Sequence, residues 1–464
     1  MIDEEKPTSR RRLLLWLVRG LFIAAAAVGM LWLFLGYEPP EERRWPGREK
    51  VVFWHMWTSN WAEVVRRICD RFNDSQDRYE VVPLTVFGGS LKTLIATSGG
   101  DPPDCMAQWE AVIPAWAARG ALTPLDTLMP AEEWHALRDR MYPAVRDIGT
   151  YQGHFYGLST GMNVWAVYYR PEYFRQAGVD PDKFPETLEA LDALSDRLFQ
   201  YDKDGRITRI GFTPRWLVHY IATFGGSLYD PATRQITFTN PKNVEALEWI
   251  TSRADQYGFE RILQFESGLS TTMAASWPFI SGAYAMVLDG QWRVEQLAKY
   301  APELEYRVAP LPPPKGGKPL ACWSNGNFMI IPSGARNKAG AWAFMRFWSG
   351  VDKPERAAEF YTWGGWLPIT PDVAAAPRYQ AYCATYPQFR AFLQIMASPN
   401  VQVTPPVPVQ AYMMSRLTWA EDAALRRHLS PREALEQAAR ETQRELENMG
   451  IGREGNRKEM LNVK

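Results

Sequence analysis

Residues 51–128 constrain the fold more than any other part of this chain, because two hydrophobic periods alternate there. A first strand reads from Lys50 to Phe53 and ends in Trp54, His55, Met56, Trp57 and Thr58. Val64, Val65, Ile68 and Phe72 then recur at the spacing of one helix face. Residues 79–87 read as a second strand running into Gly88-Gly89-Ser90, and a third ends in Gln108-Trp109-Glu110. Parallel strands need a crossover, usually helical, so this order places the chain in the α/β class. In open α/β sheets ligands bind beyond the carboxyl ends of the strands. The Trp-rich and Gly-Gly segments fall at those ends.

Composition narrows the possibilities. A chain of 464 residues is too long for one core, so two domains are expected. Lys plus Arg (52) equals Asp plus Glu (52), and no basic stripe or nucleic-acid motif is present, so nucleic-acid binding is set aside. Twenty Trp, twenty Tyr and twenty-one Phe are more than a core alone explains, because an indole N–H needs a partner when it is hidden. Part of that set is expected to line a wet cleft. Cys69, Cys105, Cys322 and Cys383 are scattered, with neither a CxxC pair nor metal-ligand spacing. Disulfides and buried free thiols both remain open. No cofactor is expected, and no nucleophile elbow, zinc-protease, phosphate-loop or dinucleotide motif occurs. The one enzymatic alternative is a glycoside-acting hydrolase, which needs two facing carboxylates roughly 5–9.5 Å apart. Glu110 and Asp289 are the candidates for that pair.

At the N-terminus, residues 1–12 form a basic cytoplasmic region ending in Arg10-Arg11-Arg12, and 13–36 are apolar apart from Arg19. That length spans about 30 Å of hydrocarbon as a helix, and the charge bias places the rest of the chain outside the cytoplasm. The apolar run continues past Ala24–Ala27, which favours an uncleaved signal anchor over a cleaved signal peptide. Residues 37–49 are Pro-rich and charged and read as a tether.

Further along, Thr187 is expected to cap a helix with Leu191, Leu194 and Leu198 inside. Residues 241–257 read as a second amphipathic helix, and 283–288 as a buried strand emerging at Asp289-Gly290-Gln291-Trp292. Asp202-Lys203-Asp204-Gly205 reads as a turn, not a calcium loop. Strands are expected at 306–309 and 328–331, which leaves Trp323-Ser324-Asn325-Gly326-Asn327 in a loop. The stripe Trp342, Phe344, Phe347, Trp348 reads as core. Ser430-Pro431-Arg432-Glu433 opens a capped helix.

Several short motifs, in order, resemble bacterial extracellular solute-binding proteins of family 1, the maltose-binding-protein-like receptors of ABC importers. They are Gly99-Gly100-Asp101-Pro102-Pro103-Asp104, Pro124-Leu125-Asp126, His154-Phe155-Tyr156-Gly157-Leu158, Val167-Tyr168-Tyr169-Arg170, Phe224-Gly225-Gly226, Ser281 to Met286, and Gly364-Gly365-Trp366-Leu367-Pro368. The resemblance covers residues 48–450. It implies a two-lobed type II periplasmic-binding-protein-like fold, each lobe a mixed sheet flanked by helices and joined by hinge crossovers. The first lobe would comprise 50–158 plus 307–365 and the second 159–306 plus 366–450, with 451–464 a flexible tail. Many relatives carry a lipid-anchored Cys after the apolar run; this chain has none there.

A carbohydrate presents apolar C–H faces and a polar rim, so its site combines aromatic planes with planar hydrogen-bonding groups. Trp57, Thr58, Ser90, Trp109, Glu110, Asn163, Asp289, Trp292, Trp323, Asn327 and Trp366 are the candidates. By position Trp109 and Trp292 resemble the family's stacking aromatics, while Arg215 or Arg293 would pair with a uronic acid. The implied function is a monomeric receptor that closes on a mono- or oligosaccharide and delivers it to ABC permease subunits. A ligand sensor of the same fold is the alternative.

Overall fold

The computed structural model describes residues 9–35, 43–86, 100–269 and 274–449. Ser90 with its Gly88-Gly89 turn, residues 37–42 of the tether and the 451–464 tail lie outside the described residues. The chain divides into two compact units, Met1–Gly47 and Arg48–Lys464.

The first unit holds helix α1 (Ser9–Leu35). Leu14, Trp16, Leu17, Leu21, Phe22 and Ile23 are all exposed on it. Side chains of α1 are described continuously only over residues 16–30. Among the described residues no helix is long and apolar enough to cross a membrane. The ends of the expected 13–36 span lie outside the described side chains.

The second unit is built on two sheets. In the first, β1 (Glu49–His55) runs parallel to β2 (Tyr79–Thr85) and to β3 (Cys105–Trp109). Between β1 and β2 lies α2 (Ser59–Ser75), which buries Val65, Ile68, Cys69 and Phe72 at i, i+3, i+4 and i+7. Strand β4 (Gly157–Asn163) also belongs to this sheet. Only Val164 separates it from β5 (Trp165–Tyr169), the middle strand of a second, three-stranded sheet. The chain therefore crosses from one sheet to the other at Asn163-Val164.

Antiparallel partners of β5 are β6 (Met286–Gly290) and β7 (Arg307–Ala309). The chain then returns to the first sheet as β8 (Cys322–Ile330), which pairs antiparallel with β3 and β4 and parallel with β9 (Val401–Val403). Strand β8 corrects one expectation. Trp323 to Asn327 form part of this strand instead of a loop, because β4 and β9 satisfy their backbone groups. Polar residues tolerate a strand when both neighbours supply the ladder.

Expected helices are in place. Thr187 accepts a hydrogen bond from the Ala190 N–H (3.2 Å) and caps α3 (Leu188–Leu198). Downstream come α4 (Val218–Phe224), α5 (Pro241–Tyr257) and α6 (Trp292–Tyr300). On α7 (Lys338–Ser349) the aromatic stripe is buried, and an added Cβ at Gly340 would lie 2.5 Å from Val51 Cγ2, so glycine lets this helix lie close on β1. Residues Pro354–Gly364 form α8 and Gln410–Leu425 form α9; α10 (Pro431–Asn448) opens with a Ser430–Glu433 capping box. The 202–205 segment is a turn in which the Asp202 carboxylate accepts the Asp204 and Arg206 N–H groups (2.9 and 2.8 Å).

Two large hydrophobic clusters result. One gathers β1, β3, β8, α2 and α7 and reaches the second sheet through Tyr168, Trp277 and Phe279. The other packs β5 against α3, α5, α9 and α10. All four cysteines are buried free thiols, so the small-hydrophobe reading is the one realised.

Candidate functional site

The crossover at Asn163 is fixed by a polar network drawn from both sheets. Asn163 Nδ2 donates to Asn325 Oδ1 (2.9 Å), and Gln291 Nε2 donates to Asn163 Oδ1 (3.0 Å). Gln291 Oε1 in turn accepts the Val164 N–H (3.1 Å), and Ser324 Oγ donates to the Asn163 carbonyl (2.8 Å). Both ends of the Asn163 amide are thereby used within the protein. Its role is to hold the strand at the passage between sheets.

Beside this network, Trp109 at the end of β3 pairs in register with Asn327 of β8 and stands 48% exposed. Glu110 follows and is buried. Its backbone N–H donates to the Gly326 carbonyl (3.3 Å), and its carboxylate accepts the Gly326 N–H at 3.5 Å. Burial pushes the Glu110 carboxyl up to about 7, against the pull of its own backbone N–H and that of Gly326. Asn327 Oδ1 is buried without a hydrogen-bond partner among the described residues.

Next to the crossover lies a cavity of about 240 Å³ with aromatic walls. Trp165, at the start of β5, stacks on Trp323 (5.1 Å between ring centres, 29°) and meets the edge of Trp292 (5.6 Å, 87°). His219 lies 4.6 Å from Trp165, 5.3 Å from Trp323 and 5.7 Å from Trp216. Trp323 is oriented by its Nε1–H, which donates to Thr404 Oγ1 (2.9 Å).

Opposite these rings, Glu421 of α9 accepts the N–H groups of Trp216 (2.8 Å) and Leu217 (2.7 Å). Those two bonds hold Trp216 in the left-handed region (φ 66°), costly for an aromatic residue, with its ring 60% exposed. Burial raises the Glu421 carboxyl, opposed by the Leu217 and Trp216 N–H groups. Burial alone lowers His219 to about 3, so its imidazole is neutral.

The structure thus brings Trp292 and Trp323 to one aromatic cluster, and Asn163, Trp109, Glu110 and Asn327 to the adjoining crossover. It places three other candidates elsewhere. Trp57 is buried and stacks on Trp348 (5.8 Å, 23°), which stacks on Trp366 (5.6 Å, 22°). Trp57 therefore serves packing. Trp366 joins that stack and covers Gly161, where an added Cβ would meet the Trp366 Cβ at 3.0 Å. Thr58 is exposed at the start of α2 and its side chain makes no capping bond.

Asp289 is ion-paired with Arg293 (2.8 Å), whose guanidinium lies over Trp277 at 4.4 Å. Arg215 faces Glu266 at 3.5 Å. Both arginines expected to meet a uronic acid are thus already opposed by carboxylates. Among the described residues no group of three His, Cys, Asp or Glu side chains is placed to hold a metal ion.

Four residues of the cavity escape a reading of the sequence: Trp165, Trp216, His219 and Glu421. Trp165 is hidden in a buried apolar strand. Glu421 looks like an ordinary helix-surface acid, more than 200 positions from the backbone it holds. Only Trp216, an aromatic following Thr213-Pro214 in a loop, carried a local signal.

Comparison with known proteins agrees with this geometry. Residues 67–388 match the family described as bacterial extracellular solute-binding protein. The chain is 26% identical over 401 residues to the mannitol-binding protein of Pseudomonas aeruginosa, covering 80% of this chain and 87% of that one. It is 21% identical over 352 residues to the sn-glycerol-3-phosphate-binding periplasmic protein UgpB of Salmonella typhimurium, covering 72% and 77%. Among solved structures, CpMnBP1 with mannotriose bound superimposes with a TM-score of 0.72 at 25% identity, covering 85% of this chain and all of that one. The family match spans more than half of the sequence and the two-sheet architecture is shared: the chain belongs to the bacterial extracellular solute-binding protein family.

Proposed function

We propose that this chain is an extracytoplasmic receptor that binds a carbohydrate between its two lobes and hands it to the permease of an ABC importer. The observation that carries this reading is the aromatic cavity beside the interlobe crossover, with Trp165, Trp323 and His219 in mutual contact and Trp216 exposed at its edge. Aromatic planes match the C–H faces of a sugar, and the Asn163–Gln291–Asn325 network gives the lobes a defined pivot for closure. The mannotriose and the sugar alcohol mannitol named for two of the similar proteins support a ligand of this class. The family match, to proteins described as solute-binding, supports action by binding.

Trp216→Ala tests the site. Its ring is largely exposed, so removing it changes stability by no more than about 0.5 kcal/mol. Lost stacking of about 0.5–1.5 kcal/mol weakens sugar affinity up to about ten-fold. Intrinsic fluorescence titrations with mannobiose, mannotriose, maltotriose and mannitol measure it, and unchanged affinity would remove this cavity from the binding site.

Residues 13–36 carry the second part of the proposal, a membrane tether inferred from the apolar run and the preceding Arg10-Arg11-Arg12. The full chain is expected in the membrane fraction after a carbonate wash, and a chain starting at Glu38 in the soluble fraction. A soluble full-length product trimmed at its N-terminus would establish a cleaved signal peptide instead.

A further inference from the structure

We propose that His219 sets the ligand class of this cleft, hydrogen-bonding the hydroxyls of an uncharged sugar or polyol and, with Glu421 opposite, excluding phosphorylated solutes. The inference rests on the receptor reading above and adds the specificity-determining residue. His219 is 2% exposed, and neither ring nitrogen has a hydrogen-bond partner among the described residues. Buried polar groups are almost always paired, and leaving one unpaired costs about 1–3 kcal/mol. An imidazole held among Trp165, Trp216 and Trp323 at the wall of a cavity is therefore short of a partner that the solute supplies.

A neutral imidazole offers one donor and one acceptor, the complement of a hydroxyl group or an adjacent hydroxyl pair. It stays neutral at physiological pH because burial suppresses its protonation. Charge sharpens the choice. Among the described residues, those lining the cavity include Glu421 and no Lys or Arg. Arg215, next to Trp216 in sequence, is drawn toward Glu266. A phosphate placed there would meet the charge of Glu421 at the wall, while Arg215, the cation that also acts on Glu421, is shared with Glu266. An uncharged hydroxylated ligand meets the indoles of Trp165, Trp216 and Trp323 and one imidazole.

Isothermal titration calorimetry on the full chain in a non-glycosidic detergent tests this, with mannitol, mannotriose and maltotriose as uncharged probes and sn-glycerol 3-phosphate as the charged one. The wild type is expected to bind at least one uncharged probe and to reject the phosphate. His219→Phe, which keeps the ring and loses both polar atoms, is expected to weaken that probe about ten-fold, and His219→Gln, which keeps a donor and an acceptor, to stay within about three-fold. Deoxy analogues of the bound probe read the same contact on the wild type alone: removal of one hydroxyl should cost about ten-fold. Unchanged affinity in His219→Phe, no sensitive hydroxyl, or preference for sn-glycerol 3-phosphate would overturn the role of His219 and leave the receptor reading standing. Binding of no probe by the wild type would overturn the receptor reading and this inference together.

Discussion

Trp348→Ala is expected to cost the folded protein about 3–5 kcal/mol, the range for truncating a fully buried large aromatic. Trp348 has no exposed surface and sits at the centre of a ring cluster, 5.8 Å from Trp57, 5.6 Å from Trp366, 5.9 Å from Phe344 and 6.2 Å from Phe53. It joins β1, α7 and the segment after α8, so the cavity left behind has walls from three elements that cannot all collapse into it. Its indole N–H is buried without a partner among the described residues. Trp348→Phe removes that unpaired donor while keeping most of the apolar area, and should remain within about 1.5 kcal/mol of the wild type. Urea unfolding followed by circular dichroism separates the two variants. A loss below about 1.5 kcal/mol in the alanine variant would show that the stack does not carry the first sheet.

Glu110→Gln is expected to remove one component of the pH dependence of stability, the part that this carboxyl contributes between pH 4.5 and 7. In the folded protein burial holds the Glu110 proton up to about pH 7, against an ordinary value of 4.5. Below pH 4.5 folded and unfolded chains are both protonated at this group, and it has no effect. As pH rises past 4.5 the unfolded chain releases the proton while the folded chain retains it. The contribution of this group therefore falls until pH passes 7 and is level beyond, against the opposite contribution of the buried histidines, whose folded values are lowered. The gap corresponds to about 3 kcal/mol. At pH 8 the glutamine variant should be more stable than the wild type by up to that amount, with the difference vanishing at pH 4. Urea melts at pH 4, 6 and 8 measure it, and parallel profiles for the two proteins would refute it. Glu110 adjoins Trp109 and the crossover, so the same variant should keep a neutral hydrogen-bonding group beside the cleft across this range.

Much of the scaffold was legible because it depends on local periodicity. Val65, Ile68 and Phe72 give α2 its buried face, Thr187 and Ser430 cap their helices, and the stripe on α7 lies in the core. The site was legible only in part. Trp57 is instructive: Val51, Phe53, His55 and Trp57 are all buried, so Trp57 continues the alternation of β1 and points into the core. Its position after a strand suggested a ligand contact, whereas the period-2 pattern already placed it inside. The segment from Trp323 to Asn327 shows the opposite case. A polar, Gly-containing stretch is assigned to a loop by composition, yet as part of β8 it alternates, with Ser324 and Gly326 buried and Trp323, Asn325 and Asn327 partly exposed. Strand geometry thereby gives those three a common side.

By itself the sequence determined the α/β class and the hydrophobic faces of its helices, because each follows from the spacing of apolar residues along a short segment, while the two-lobed plan followed from the family resemblance of its ordered motifs. Only the tertiary structure decided which aromatics form the cavity. Trp165, Trp216, His219, Trp323 and Glu421 come from four separate stretches of chain, and Glu421 fixes a backbone more than 200 residues before it. Hydrogen bonds and ring contacts at that separation leave no periodic trace, since they arise only when β5, α4, β8 and α9 are packed against one another.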